Sequence, residues 1–218
     1  MALAPYHPAT DASQPAPEPE IAPLWLPWDL RLSLEQFERV CQANPEAVLE
    51  LAADGQLIAM TPTGGETSSR NSQLILELGW ALRRSGLDYR LFDSSGGFRL
   101  PDGSVFSPDA SLVQQARWQA LSPQQRRGFP PLCPDLVVEL ASPSDEGPRG
   151  ISALRRKLDL YQANGAQLGW LLLPEERAVE IWRAGQQGMA ERLENAARLE
   201  PGEPFAGLTL ELQEIWTV

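Results

Sequence analysis

The chain has 218 residues and a mass of 24.0 kDa, 43% of them hydrophobic and 22% charged, with a formal net charge of −11. That length can bury a sizeable core and suits one domain, expected over 24–218, behind a tail at 1–23. No run of eighteen apolar residues is present to cross a membrane, and two cysteines, Cys41 and Cys133, are too few for a disulfide scaffold or a four-cysteine zinc site.

Residues 1–23 are rich in Pro, Ala, Glu and Ser and poor in large apolar groups, the composition of a disordered tail. Met1 to Pro8 shows no basic stretch followed by an apolar run, so no secretory signal and a reduced, cytoplasmic setting are expected. Ser33 and Gln36 form a capping-box pattern that predicts a helix over 34–43. Apolar runs at 47–52 and 56–61 flank Ala53-Asp54-Gly55 and predict a hairpin. Leu74, Ile75, Leu78, Ala81 and Leu82 recur at helical spacing within 66–84, and Gly86 stands where a helix would stop. Short strands are expected at 89–93 and 97–100, a turn at Pro101-Asp102-Gly103, then one strand over 104–113. A short helix at 114–121 and a basic loop at 122–131 follow. Leu136 to Ala141 has the pattern of a strand buried on both faces. Residues 151–163 form an amphipathic helix ended by Asn164-Gly165, and strands at 167–173, 178–183 and 189–194 complete a sheet. The Leu/Ile/Trp stripe of the last ten residues is expected to dock on the core. Helices and hairpins interleave, so the fold class is α/β (α+β mixed): a mixed sheet with helices packed on it.

Two residue counts narrow the chemistry. The chain has one histidine, His7, in the tail, which excludes serine–histidine triads, cysteine–histidine dyads and multi-histidine metal sites. Of its 18 basic residues, 17 are arginine and one is lysine, Lys157. A lone lysine among arginines is a candidate for a task that needs a compact ammonium. The charge is also unevenly spread: residues 1–65 carry net −7 and 158–218 net −6, whereas 66–157 carry net +2. The locally basic middle leaves a polyanion substrate open.

Glu139 lies inside Leu136-Val137-Val138-Glu139-Leu140, where an ionised carboxylate costs several kcal/mol unless a cation or metal pairs with it. Asp109 follows Pro108 within another apolar run. Lys157 borders the stripe Ile151, Leu154, Leu158 and Tyr161, which aims it at the sheet. Two carboxylates and one lysine suffice for phosphodiester hydrolysis. The acids hold a hard divalent cation, Mg²⁺ with Mn²⁺ able to substitute, and the ammonium assists the attacking water or the charged transition state. Each residue also has a structural alternative: Asp109 as a turn cap, Glu139 as a paired carboxylate, Lys157 as a snorkelling stripe-edge residue.

Ser107-Pro108-Asp109-Ala110, the run Pro134 to Asp145 containing Glu139, Lys157 followed by Tyr161, Asp54-Gly55-Gln56-Leu57-Ile58 with Thr61-Pro62-Thr63-Gly64, and Gly165 before Gly169-Trp170-Leu171-Leu172 resemble the PD-(D/E)XK nuclease superfamily. The nearest resemblance is to the Uma-type putative restriction endonuclease family. It runs from about Leu34 to Leu212. The resemblance implies a restriction-endonuclease-like fold, a central mixed β-sheet flanked by helices, and an endonuclease acting on nucleic acid, DNA first, with homodimers possible in such a fold. It also implies metal binding by Asp109 and Glu139, with the Leu140 backbone carbonyl a further ligand. Lys157 matches a relocated lysine, since Ala141 holds the superfamily's usual lysine position. Glu66, at the start of the long helix, matches an additional acidic position, or simply complements a helix N-terminus. Two competing readings use the same fold without cleavage: a nucleic-acid-binding protein and a protein-interaction module.

Overall fold

The computed structural model describes residues 27, 29–60, 62–143, 145 and 150–217. The expected tail at 1–23 lies outside them. In chain order the elements are α1 (Leu34–Ala43), β1 (Val48–Leu51), β2 (Leu57–Met60), α2 (Gly65–Ser85), β3 (Tyr89–Asp93), β4 (Phe98–Arg99), β5 (Val105–Phe106), β6 (Ala110–Gln114), α3 (Gln115–Gln119), α4 (Pro123–Arg127), β7 (Leu136–Leu140), α5 (Ile151–Ala163), β8 (Leu168–Leu173), β9 (Ala178–Arg183), β10 (Met189–Glu194), β11 (Arg198–Leu199), β12 (Leu210–Glu211) and α6 (Gln213–Trp216). No helix is long and apolar enough to cross a membrane.

The main sheet has six strands in the order β10-β9-β8-β7-β6-β3. All neighbours are antiparallel except β7 and β8, which are parallel and joined through α5. A parallel pair needs a crossover long enough to return the chain to the same edge, and α5 supplies it. A second sheet, β2-β1-β5-β4, stands beside it, and β11 pairs with β12.

Strand alternation sorts the core into two layers. Leu136, Val138 and Leu140 of β7 face α2 and the C-terminal segment, where Leu74, Leu78, Leu212, Ile215 and Trp216 are buried. Val137 and Ala141 face the other way and join Leu158 and Tyr161 of α5 with Phe98 and Phe106. Phe37, Leu51 and Val105 make a smaller cluster under α1. Full burial of each such side chain contributes about 1.5–3 kcal/mol. The C-terminal stripe thus docks on the core as expected.

Local signals explain the boundaries. Ser33 and Gln36 close a reciprocal capping box on α1. Gly86 ends α2 with φ 69, the left-handed conformation that costs glycine no Cβ clash. Two expectations are corrected. The strand expected over 104–113 is broken into β5 and β6, which belong to different sheets. Pro108 has no N–H to give a ladder and holds Ser107 out of the helical region. The stretch 122–131 is not all loop, because Ser122 and Gln125 form a second capping box, with Pro123 at the first helical position of α4.

Candidate active site

The alternation that builds β7 turns Glu139 toward α5, on the face shared with Val137, and leaves it 2% exposed. A carboxylate there needs a cation. α5 packs its Leu158 and Tyr161 on the same face, and the residue preceding Leu158 brings its ammonium in. Lys157 Nζ lies 3.0 Å from Glu139 Oε1 and 2.9 Å from Glu50 Oε1, and it donates to the Ser107 carbonyl at 3.0 Å. The rings of Phe106 and Tyr161 flank it at 5.8 and 5.9 Å, so the ammonium is held by two acids, one carbonyl and two π faces.

Asp109 enters from the strand break. Ala110 pairs with Val138 across β6 and β7. Extending that antiparallel register by one residue sets Asp109 opposite Glu139, where paired Cα atoms stand about 4.5–5.5 Å apart. Asp109 Oδ2 accepts from the Leu140 N–H at 2.7 Å. The residues that interrupt the strand are themselves used. The Ser107 N–H donates to Glu50 Oε1 at 2.9 Å, while its carbonyl takes the Lys157 ammonium. Ser107 thus gives both backbone polar groups to the charged cluster.

The cluster is electrostatically unbalanced. Burial pushes the Glu139 carboxyl up to about 8; the charges of Asp109 and Glu50 push the same way, and Lys157 offsets only part. Burial also raises Asp109, against the Leu140 N–H and Lys157. For Lys157 burial works the other way, but Glu139 and Glu50 overcome it and hold the ammonium well above its ordinary value. Glu139 Oε1 is buried and, despite its ion pair, has no well-angled hydrogen bond.

The molecule contains its own control. Glu180 on β9 is equally screened from solvent, at 1%, though nearer the surface and covered by arginines that are themselves partly exposed. It has two guanidiniums: Arg155 at 2.6 Å and Arg192 at 2.8 Å. Burial alone would raise it, yet those arginines hold it below the ordinary carboxylate value. A buried acid with sufficient cations is a stable structural group; Glu139 shares one ammonium with another acid.

Three residues singled out from sequence, Asp109, Glu139 and Lys157, therefore stand together, and Leu140 joins them through its N–H. Glu66 does not share their partners: it is half exposed and pairs with Arg70 at 2.6 Å. Asp135 stands immediately before β7 as a buried partner of Arg117. Sequence reasoning missed Glu50, which is 4% exposed. The signal was available, because Glu50 sits between Leu49 and Leu51 in an apolar strand, the criterion that marked Glu139. Among the described residues no three acid, histidine or cysteine side chains form a ready-made ion cage. The oxygen donors that do converge, carboxylates and backbone carbonyl, suit a hard cation better than a soft one. With Glu139 pushed up to about 8 and Asp109 raised as well, the cluster holds more carboxyl groups than its one ammonium can keep ionised, and a divalent cation would draw them into the charged form.

No curated protein matches the chain. Among solved structures, the crystal structure of a protein described as "a putative nuclease belonging to DUF820" from Anabaena variabilis ATCC 29413 superposes with a TM-score of 0.65 at 21% sequence identity. The match covers 85% of this chain and 97% of that one, so the two share a fold. The family model Uma2, described as "Putative restriction endonuclease", matches residues 34–213, and the chain belongs to that family.

Proposed function

We propose that the protein is a divalent-metal-dependent nuclease hydrolysing phosphodiester bonds of nucleic acid, DNA first. The observation that carries this reading is the buried cluster around Glu139: Glu50 and Glu139 share one ammonium, with Asp109 held beside them by the Leu140 N–H, while Glu180 shows that this chain can satisfy a buried acid when only structure is required. Family membership supports the same chemistry. In this reading Asp109 and Glu139 hold Mg²⁺, with Mn²⁺ as a substitute and the Leu140 carbonyl as a further ligand. The chemistry that a divalent cation supplies when bound is a more acidic water and compensation of charge on the phosphate.

The protein's own groups do the rest. Glu50 and the Ser107 carbonyl keep the Lys157 ammonium fixed and protonated. Lys157 is therefore a cation for the developing phosphate charge and an orienting donor to the attacking water, not a general base. The Leu140 N–H fixes Asp109 by one oxygen, which leaves the other for a ligand. Phe106 and Tyr161 wall the ammonium from bulk water and strengthen each of these interactions.

Glu139→Gln tests the proposal, since the amide keeps the shape and removes the charge. Three measurements are needed: melting in chelator, the melting shift on adding Mg²⁺, and cleavage of plasmid and single-stranded substrates. The variant should melt in chelator no lower than the parent, lose the Mg²⁺ shift, and cut more slowly by about 100-fold or more. Cleavage equal to the parent's would place the chemistry elsewhere. A large loss of stability in chelator would make Glu139 a structural ion-pair member.

A further inference from the structure

Beside the charged cluster, and sharing none of its four side chains, lies a groove of about 860 Å³ between α1, the β3–β4 connection, α3 and α4. That is within the range of about 300–1,000 Å³ typical of ligand sites. Its chemistry is mixed in a specific way. Four aromatic residues, Phe92, Trp118, Phe129 and the fully buried Phe98, line it together with three cations, Arg99, Arg126 and Arg127, against one acid, Glu38. Arg126 is pinned by the carbonyls of Gln119 and Leu121 at 2.9 and 3.0 Å. The guanidiniums of Arg99 and Arg127 have no partner among the described residues. In a chain where Glu180 alone takes two arginines, a cluster of three with so little acid is a departure.

The part-exposed rings of Trp118 and Phe129 already have packing partners: Arg90 lies over Trp118 at 5.6 Å, and Phe37 packs against Phe129 at 5.5 Å. A Cβ added at Gly97 would lie 2.9 Å from Phe129 Cδ1 and Cε1, so the ring of Phe129 lies directly on the Gly97 backbone. The same Cβ would be 3.2 Å from Ser107 Oγ. Ser107 is the residue whose carbonyl holds Lys157 and whose N–H holds Glu50. Gly97, in the lining of the groove, therefore packs against the residue whose backbone serves the cluster.

We propose that this groove binds an unpaired polynucleotide strand, with bases stacked on Phe129 and Trp118 and flanking phosphates on Arg99 and Arg127, and leads that strand to the site beside Ser107. The location rests on the nuclease reading; the binding does not. Base faces are open to aromatic side chains only where a strand is unpaired, whereas a duplex offers its grooves and backbone. Aromatic rings between arginines thus select single strands over duplexes, and each stacked base is worth about 1–3 kcal/mol.

The test is fluorescence anisotropy on the full chain in chelator, where cleavage cannot interfere. The probes are labelled oligothymidine, oligouridine and a duplex of the same length. The single strands should bind more tightly than the duplex, and the DNA and RNA arms show which backbone is preferred. Arg99→Gln with Arg127→Gln should weaken single-strand binding about tenfold or more. It should also lower the slope of log affinity against log salt by about 1.4, the loss of two phosphate contacts. Arg83→Gln with Arg84→Gln, an equal charge change on α2, should do neither. Binding should quench intrinsic fluorescence, and Trp118→Phe should remove that quench while the other tryptophans remain. Equal effects of the two arginine pairs, a duplex bound as tightly as the single strands, or no binding by the parent would each overturn the proposal. If strand binding follows these expectations but no metal supports cleavage, the nuclease reading fails alone. If the parent cleaves and the groove variants bind and cleave like it, the groove fails alone.

Discussion

At the scale of single residues, the site is defined by which acids have enough cations. Glu139 has a folded-state value near 8 against an ordinary 4.5, so the folded protein binds more protons than the unfolded chain between those values. The stability contributed by this group is complete below about pH 4.5 and is lost as pH rises through about 8. Asp109 is raised in the same direction and steepens the trend. Lys157 is also raised, but its contribution is lost only above its ordinary 10.5, outside this window. The protein in chelator should therefore melt at a lower temperature at pH 8.5 than at pH 6, and Glu139→Gln should shrink that difference; a melting scan at the two pH values decides it. Asp109, Glu139 and Lys157 were legible as candidates because an acid in an apolar strand and a single lysine among arginines are compositional anomalies. Glu50 met the first criterion but lacked a neighbouring motif. Its partnership with Lys157 spans more than a hundred positions, which no local pattern encodes.

At the scale of elements, backbone chemistry was the more readable layer. The capping box of α1, the stop at Gly86 and the Ala53-Asp54-Gly55 turn are local interactions and appear where expected. Gly55 adds a tertiary role. It has φ 85, and a Cβ there would lie 2.7 Å from the Leu32 carbonyl oxygen. Its own carbonyl accepts from the Leu32 N–H at 2.7 Å. Gly55→Ala should cost about 1–3 kcal/mol through left-handed strain and a collision with backbone that cannot rotate away. A urea titration should show a lower midpoint with an unchanged m-value, and an unchanged midpoint would refute it. The two elements that were misread differ in cause. The capping box of α4 was local and readable but hidden in a basic stretch. The break between β5 and β6 has a local cause in Pro108, but the Ser107 hydrogen bonds it frees go to distant groups, Glu50 and Lys157.

At the scale of the whole molecule, fold class was readable but strand order was not. β5 and β6 are four residues apart in sequence yet belong to different sheets, while β1 finds β5 across more than fifty residues. Such pairings are decided by which faces must be buried together. The two thiols report that burial. Cys133 is 3% exposed, its Sγ donates to the Tyr161 carbonyl, and burial pushes it up to about 12. Cys41 is half-buried on α1 and also raised, chiefly by burial. A chromogenic disulfide reagent should thus modify Cys41 slowly in the native protein and Cys133 only as the main core opens. Rapid labelling of Cys133 under native conditions would show that the β7–α5 layer opens without global unfolding.

The position of Lys157 has a mechanical consequence. Glu50 belongs to the smaller sheet and Glu139 to the larger one, so one ammonium acts as a tie-bar across the seam between them. The Ser107–Asp109 segment is the covalent cord running through the same seam. Cutting the tie-bar with Lys157→Met should let the small sheet rock against the large one. Amide hydrogens of the β1–β2 hairpin should then exchange faster while those of β7 and β8 keep their protection. Whatever draws Glu139 away from Lys157 would slacken the same joint, leaving the ammonium moored to Glu50 and the Ser107 carbonyl, both on the small-sheet side of the seam.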